Sequence, residues 1–217
     1  MRLQTLKNGE QIYTHDKGEY ISDIIEQTGW YYEPKTIEYI KSLNLTNCTI
    51  LDVGANIGNH THAINYFTNN CHLISIEPFN ENYEILKLNN IKGNCLNWFV
   101  DSHVNQSCVD IKISPIWGEN NLGYIKKTNE GQLINKIGCI DFILTDSAIK
   151  LIKIDVEGNE LNVLEGAKFT LKEFHPCIIA EHHTIKEHYQ VLKYLNHFGY
   201  KLERIIEEDN LNYVYTV

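Results

Sequence analysis

The chain has 217 residues, enough for one well-packed α/β domain with additions and short for two. Hydrophobic residues make up 43% of it, which excludes a disordered chain, and no stretch reaches the roughly 20 apolar residues of a membrane span. A formal net charge of −9, with no run of Lys or Arg longer than two, argues against nucleic acid and anionic membranes as partners.

Residues 1–19 are polar and weakly periodic. Ile21, Ile24 and Ile25 predict a short helix that Gly29 ends. Trp30-Tyr31-Tyr32 is an aromatic cluster suited either to packing or to a lid. Glu33-Pro34 then opens a helix carrying Ile37, Ile40 and Leu43, with Pro at a favoured first-turn position. Residues 1–48 therefore read as a helical cover over one end of the main domain, 49–217.

From Thr49 strands and helices alternate. A strand at 49–53 precedes a helix from about Asn56 to Thr68, a strand at 72–77 precedes a helix from about Asn80 to Ile91, and a strand at 95–100 follows. Alternation of this kind predicts a parallel sheet with right-handed crossovers. Residues 104–138 break the rhythm. Cys108 to Ile113 alternates at period two among turn residues, which predicts an inserted strand or hairpin with a long loop. Leu151 to Asp155 is a buried strand. Leu161, Leu164, Ala167, Leu171 and Phe174 share one helix face, Cys177 to Ala180 is another buried strand, and Ile185 to Phe198 marks a helix ended by Gly199. Strands near Lys201–Ile206 and Asn212–Val217 predict a closing antiparallel hairpin.

The chemistry concentrates first at Ile50-Leu-Asp-Val-Gly-Ala-Asn-Ile-Gly-Asn59, a strand, a tight turn and a helix start. Its glycines allow close approach to the backbone, and its N–H groups suit an anionic group. Glu77 follows Gly58 by nineteen residues, at the end of the next strand, where a carboxylate can take both ribose hydroxyls. Together they predict a nucleoside cofactor. The dinucleotide pattern G-x-G-x-x-G is broken, because Asn56 and Asn59 stand where its second and third glycines belong. Asp52 with Gly54-x-Asn56-x-Gly58 fits a methionine-bearing cofactor better, the acid being placed to meet an ammonium.

A second constellation closes the strand after the insertion. Period two puts Lys153, Asp155 and Glu157 on one side, and the next strand ends in Glu181-His182-His183 at the same sheet edge, where ligands of open α/β sheets sit. These groups can take a proton, hold a substrate or bind a metal. The alternative for Glu157 is a helix-dipole partner, and for both histidines a solvated loop. The six scattered cysteines include no Cys-x-x-Cys pair and read as small buried hydrophobes of a reducing, cytoplasmic compartment. No signal peptide is expected.

Ile50 to Thr61, Ile76-Glu-Pro78 with Asn80 to Leu86, and Leu151-Ile-Lys-Ile-Asp-Val-Glu-Gly-Asn-Glu-Leu161 through Leu164-Glu-Gly-Ala167 resemble FkbM-type methyltransferases. Glu33-Pro34 and Cys139-Ile-Asp-Phe-Ile143 resemble further pieces of that pattern. The resemblance implies a Rossmann-like class I methyltransferase fold: a mostly parallel seven-stranded sheet, an antiparallel last strand and helices on both faces. It implies S-adenosylmethionine as donor and O-methylation of sugar or polyketide hydroxyls. It carries cofactor roles to Asp52, Gly54, Asn56, Gly58 and Glu77, with Asp101 and Ser102 the candidates for adenine. Asp155, Glu157, Glu181 and His183 are the candidate bases; a divalent cation on Asp155 and Glu181 is the alternative activator.

The expected acceptor is a sugar, sugar nucleotide or glycoconjugate, with Trp117, Asn120, Asn121 and Tyr124 of the insertion to stack on it and Lys126, Lys127 and Lys153 to meet phosphates. A homo-oligomer is compatible with this reading. The competing functions are a non-catalytic methyltransferase-like binding module, a methyltransferase of non-sugar small molecules, and a nicotinamide-dependent oxidoreductase. Against the last stand the broken glycine pattern and the lack of a Tyr-x-x-x-Lys pair.

Overall fold

The computed structural model describes residues 1–102, 111–115, 125–128, 132–134, 136–143, 145 and 147–217, with the backbone alone at 111–115, 125–128 and 132–134. In chain order, β1 (Arg2–Thr5) and β2 (Gln11–Thr14) form a hairpin, followed by α1 (Tyr20–Thr28) and α2 (Pro34–Ser42). Then come β3 (Thr49–Val53), α3 (Asn59–Phe67), β4 (His72–Ile76), α4 (Asn80–Asn89), β5 (Gly93–Leu96) and β6 (Phe99–Val100). The insertion holds β7 (Ile111–Pro115), β8 (Ile125–Thr128) and β9 (Gln132–Ile134), an antiparallel sheet with β7 in the middle, and then β10 (Ile137–Gly138), which pairs with β6. The chain finishes with β11 (Ile149–Ile154), α5 (Glu160–Glu165), α6 (Lys168–Phe174), β12 (Cys177–Glu181), α7 (Ile185–Leu195), β13 (Lys201–Glu207) and β14 (Leu211–Thr216).

Seven of these strands make the central sheet, in the order β13-β14-β12-β11-β3-β4-β5. β12, β11, β3, β4 and β5 are parallel, and β14 is antiparallel to both its neighbours. The near-continuous apolar runs are explained by burial on both faces. Leu51, Val53, Ile152, Ile154, Ile178 and Ala180 pack in one cluster, whereas the intervening Ile50, Leu151 and Ile179 pack in another. Full burial of such a side chain is worth about 1.5–3 kcal/mol, so a dozen of them dominate the fold.

Three local readings change. The first 48 residues contain a hairpin as well as two helices; its four-residue strands carry too little alternation to register in the sequence. Leu6 and Ile12 from this hairpin pack with Ile25, Ile37, Ala63 and Ile85, which seats the segment on α3 and α4. The strand expected at 95–100 divides, β5 joining the main sheet and β6 pairing with β10. The helix expected through 161–174 breaks into α5 and α6 at Gly166, where a Cβ would lie 2.6 Å from the Asp101 carbonyl oxygen. Asp141 then caps α6, its carboxylate accepting from the Phe169 and Thr170 N–H groups and the Thr170 hydroxyl.

The β13–β14 turn ties the N-terminal helices to the sheet edge. Glu208 accepts from the N–H groups of Lys35 and Thr36 at the start of α2, at 2.7 and 3.0 Å, and Tyr20 of α1 donates to Asp209 at 3.0 Å. That clasp sets one wall of the site.

Candidate active site

A cavity of about 540 Å³ opens at the carboxyl ends of β3, β4, β11 and β12. Its wall includes Gly54, Asn56, Glu77, Asp155, Glu157, Glu181 and His183 among the residues singled out by sequence. Asp52, Gly58, Asp101 and Ser102 lie outside that wall. Trp117, Asn120, Asn121 and Tyr124 lie outside the described residues, as do the side chains of Lys126 and Lys127.

The glycine turn is occupied by its own structure. Gly54 and Ala55 donate to the Ile76 carbonyl, Asn56 N–H to Glu77, Ile57 N–H to the Asn56 side chain, and Gly58 N–H to the Ala55 carbonyl. All five donors of the turn are therefore engaged within the chain. The glycines serve chain-on-chain packing. A Cβ on Gly54 (φ +78°) would sit 1.7 Å from the Asp155 carbonyl oxygen, and one on Gly58 (φ +88°) would sit 2.9 Å from Leu86 of α4.

Glu77 is buried beside this turn, with one carboxylate oxygen accepting from Asn56 N–H at 2.9 Å and the other from Phe79 N–H at 2.8 Å. These two bonds fix its plane, and each oxygen keeps a lone pair for a hydroxyl donor. Burial pushes the carboxyl up to about 8 against those two hydrogen bonds, with Asp155 and Asp52 adding to the rise. Trp98 and Phe99 offer apolar surface on the same cavity wall.

Asp52 has a different surrounding from the one expected. It is fully buried, accepts from Thr61 at 2.7 Å, and stands in register with Lys153 on the neighbouring strand. Lys153 is also buried, and donates to Asp155 at 3.1 Å. Burial alone would lower the lysine's pKa, but Asp155, Asp52 and Glu33 outweigh it and hold the ammonium charged. Asp52 and Lys153 are thus buried neighbours on adjacent strands, and Lys153 makes its ion pair with Asp155. The same pairing takes Lys153 away from the phosphate role.

The second constellation assembles as a row. His183 Nε2 lies 2.6 Å from Glu157, and its Nδ1 lies 3.4 Å from Glu181 Oε1. Glu157 adopts a left-handed backbone (φ +58°) directly before Gly158 (φ +93°), a conformation costing about 1–3 kcal/mol for a non-glycine residue and typical of functional turns. Burial pushes the Glu157 carboxyl up to about 7 despite the His183 hydrogen bond. That hydrogen bond raises His183 above its usual value, against partial burial. Glu181 is pushed up to about 10 by burial, then by Asp155 and Glu33. His182 goes the other way. It is buried on the far side, bonded to the Tyr215 hydroxyl at 2.9 Å, and burial lowers it to about 4.

Tyr20, His60, Trp98 and Asp209 also line the cavity and were missed as site residues by the sequence reading. Tyr32 is the one member of the aromatic cluster on the wall, whereas Tyr31 is buried against His62 at 2.9 Å. Among the described residues no group of three or more His, Cys, Asp or Glu side chains is arranged to hold a metal ion, and no helix is long and apolar enough to cross a membrane.

A family model described as Methyltransferase FkbM domain matches residues 52–202. No curated protein matches the chain. Among solved structures, the chain is similar to a methyltransferase FkbM from Methylobacillus flagellatus KT, with 17% identity and a TM-score of 0.59, over 85% of this chain and 50% of that one. It is similar to a precorrin-6y C5,15-methyltransferase from Geobacter metallireducens GS-15, with 11% identity and a TM-score of 0.56, over 95% and 93% of the two chains. It is similar also to the tRNA methyltransferase TrmK of B. subtilis, with 12% identity and a TM-score of 0.51, over 84% and 65%. This chain thus spans half the length of the Methylobacillus protein. At such identities the likeness is one of fold, and with a tRNA methyltransferase inside it the exclusion of nucleic acid from net charge has no support.

Proposed function

Because the chain belongs to the FkbM methyltransferase family, we propose that it is an S-adenosylmethionine-dependent methyltransferase acting on a hydroxyl of a small polar acceptor, of which sugars and glycoconjugates are the leading class, with His183 as base. The observation that carries this reading is the Glu157–His183 contact of 2.6 Å on the cavity wall. S-adenosylmethionine, when bound, supplies an electrophilic sulfonium methyl. Glu77 would hold the ribose of that donor, and Trp98 and Phe99 would cover its base; the fixed carboxylate and adjoining apolar wall fit those parts.

The remaining chemistry belongs to the chain. A hydroxyl is a weak nucleophile until its proton is removed, and a positioned base contributes about 100- to 10,000-fold. Glu157 accepts from His183 Nε2–H in the tautomer this pairing favours, which leaves the Nδ1 lone pair facing the space beside Glu181. His183 Nδ1 takes the acceptor's hydroxyl proton, and Glu157 stabilises the imidazolium that forms. Asp155 is engaged by Lys153, so it is better suited to shaping the site than to accepting that proton. The α1 wall, held by the Tyr20–Asp209 bond, narrows solvent access.

Thermal-shift measurements with S-adenosylmethionine, S-adenosylhomocysteine and NAD test the donor, since a tight ligand stabilises by mass action. Tritiated-methyl transfer across free sugars, sugar nucleotides, phenols, peptides and RNA tests the acceptor. Transfer to RNA or phenols alone would discard the sugar reading.

A further inference from the structure

We propose that the acceptor site takes a molecule carrying a protonated amine next to its reacting hydroxyl, an amino alcohol such as an amino sugar, with the ammonium seated against Glu181. This rests on the methyltransferase reading and names the acceptor's chemistry.

Five carboxylates line the cavity: Glu77, Asp155, Glu157, Glu181 and Asp209. Among the described residues, Lys153 is the one lysine or arginine on that wall, and it is bound to Asp155. A cationic acceptor favours the ionised form of these carboxyls, and an anionic one finds no lysine or arginine outside that pair among the described residues.

The independent observation is a set of buried acceptors left open. Glu181 is 4% exposed, and its Oε1 has no hydrogen-bond partner, with His183 Nδ1 3.4 Å away. Behind it Asn212 Oδ1 is also buried without a hydrogen bond. Asn212 is in register with Glu181 and donates to Glu33 Oε1 at 3.2 Å, while Glu33 Oε2 has His60 Nε2 at 3.2 Å. A buried acceptor without a donor is costly, and Glu181 is the member of this group that reaches the cavity wall. An ammonium at Glu181 supplies the missing donor, and its charge favours the ionised carboxylate.

Geometry then fixes where the hydroxyl goes. Glu181 Oε1 and His183 Nδ1 are close enough for adjacent amine and hydroxyl groups of one acceptor to reach both. The amine anchors on Glu181 and the hydroxyl faces His183.

The test is a thermal-shift titration of the full chain with saturating S-adenosylhomocysteine. The probes are amino sugars with the amine at different ring positions, their N-acetyl counterparts, glucose and glucose 1-phosphate. A free-amine sugar at about ten times its Kd is expected to add about 2–6 °C, and N-acetylation to abolish the shift. Glu181→Gln should weaken that amine about 10- to 100-fold and leave S-adenosylhomocysteine unaffected. Equal binding of N-acetyl sugars, preference for the phosphate, or no response to any amine overturns the proposal. So does a Glu181→Gln variant that weakens S-adenosylhomocysteine but not 5′-methylthioadenosine, because the amine at Glu181 would then be the donor's own. No stabilisation by S-adenosylhomocysteine alone would bring down the donor assignment on which both readings stand.

Discussion

Lys153 and Asp52 are register partners on adjacent parallel strands, side by side on one face of the sheet and both buried. The lysine's ammonium also reaches Asp155 at the cavity wall. One buried cation therefore joins the strand before the glycine turn to the strand that carries the second acidic motif, and sets the electrostatic baseline of the site.

Lys153→Met keeps much of the stem's volume and removes the charge. Breaking a buried pair from one side costs about 3–5 kcal/mol, because the remaining charges stay uncompensated. The melting temperature should fall by roughly 6–20 °C in a domain of this size. Asp155→Asn should also destabilise the fold and lower turnover while retaining donor binding. A Lys153→Met variant that melts like the parent would show that the pair contributes nothing net.

Glu77→Ala should weaken S-adenosylhomocysteine at least tenfold by calorimetry, since each charge-assisted bond to a ribose hydroxyl is worth about 1.5–3 kcal/mol. The variant should also lose stability, because the Asn56 and Phe79 N–H groups lose their acceptor. In the free protein Glu77 holds its proton up to about pH 8. Hydroxyl donors favour the carboxylate, so binding should release a proton at pH 7 and tighten as pH rises through 8. Unchanged affinity in the alanine variant would remove Glu77 from the donor site.

His183→Ala should reduce kcat by about 100- to 10,000-fold with little change in donor affinity. In Glu157→Gln the imidazole loses the partner that raises its pKa, and the acidic limb of the kcat/KM profile should move to lower pH. A profile that stays in place would assign the base elsewhere.

Apo stability should fall as pH rises from 6.5 to 8. Glu157, Glu77 and Glu181 are raised to about 7, 8 and 10, so the folded state keeps protons that the unfolded chain has released above its ordinary carboxyl range. His183, also raised, acts in the same direction. His182 is lowered to about 4 and opposes them, but only below its unfolded value near 6.5. Denaturant melts at pH 6.5 and 8 should show the loss, and Glu181→Gln should reduce it; equal midpoints in the parent would contradict it.

Gly54→Ala should not accumulate as a folded protein, or should melt at least about 6 °C lower. The added Cβ meets a backbone carbonyl at 1.7 Å and the residue sits at φ +78°. Neither obstacle can relax by rotating a side chain.

The sequence by itself determined the alternating strands and helices, the acid at the strand end beside the glycine turn, and the gathering of Asp155, Glu157, Glu181 and His183 at one sheet edge. Those features depend on local periodicity and on chain direction, which a sequence carries residue by residue. Neighbouring His182 and His183 already illustrate the boundary: period two sends them to opposite sides, but only the Tyr215 hydroxyl and the Glu157 carboxylate decide what each becomes. Tertiary structure alone decided that Lys153 faces Asp52, that the glycines make room for Asp155 and α4, and that Asp209, more than a hundred residues from the glycine turn, helps form the cavity wall. These are consequences of strand register and close packing between distant segments. No local pattern records which partner a buried charge will find.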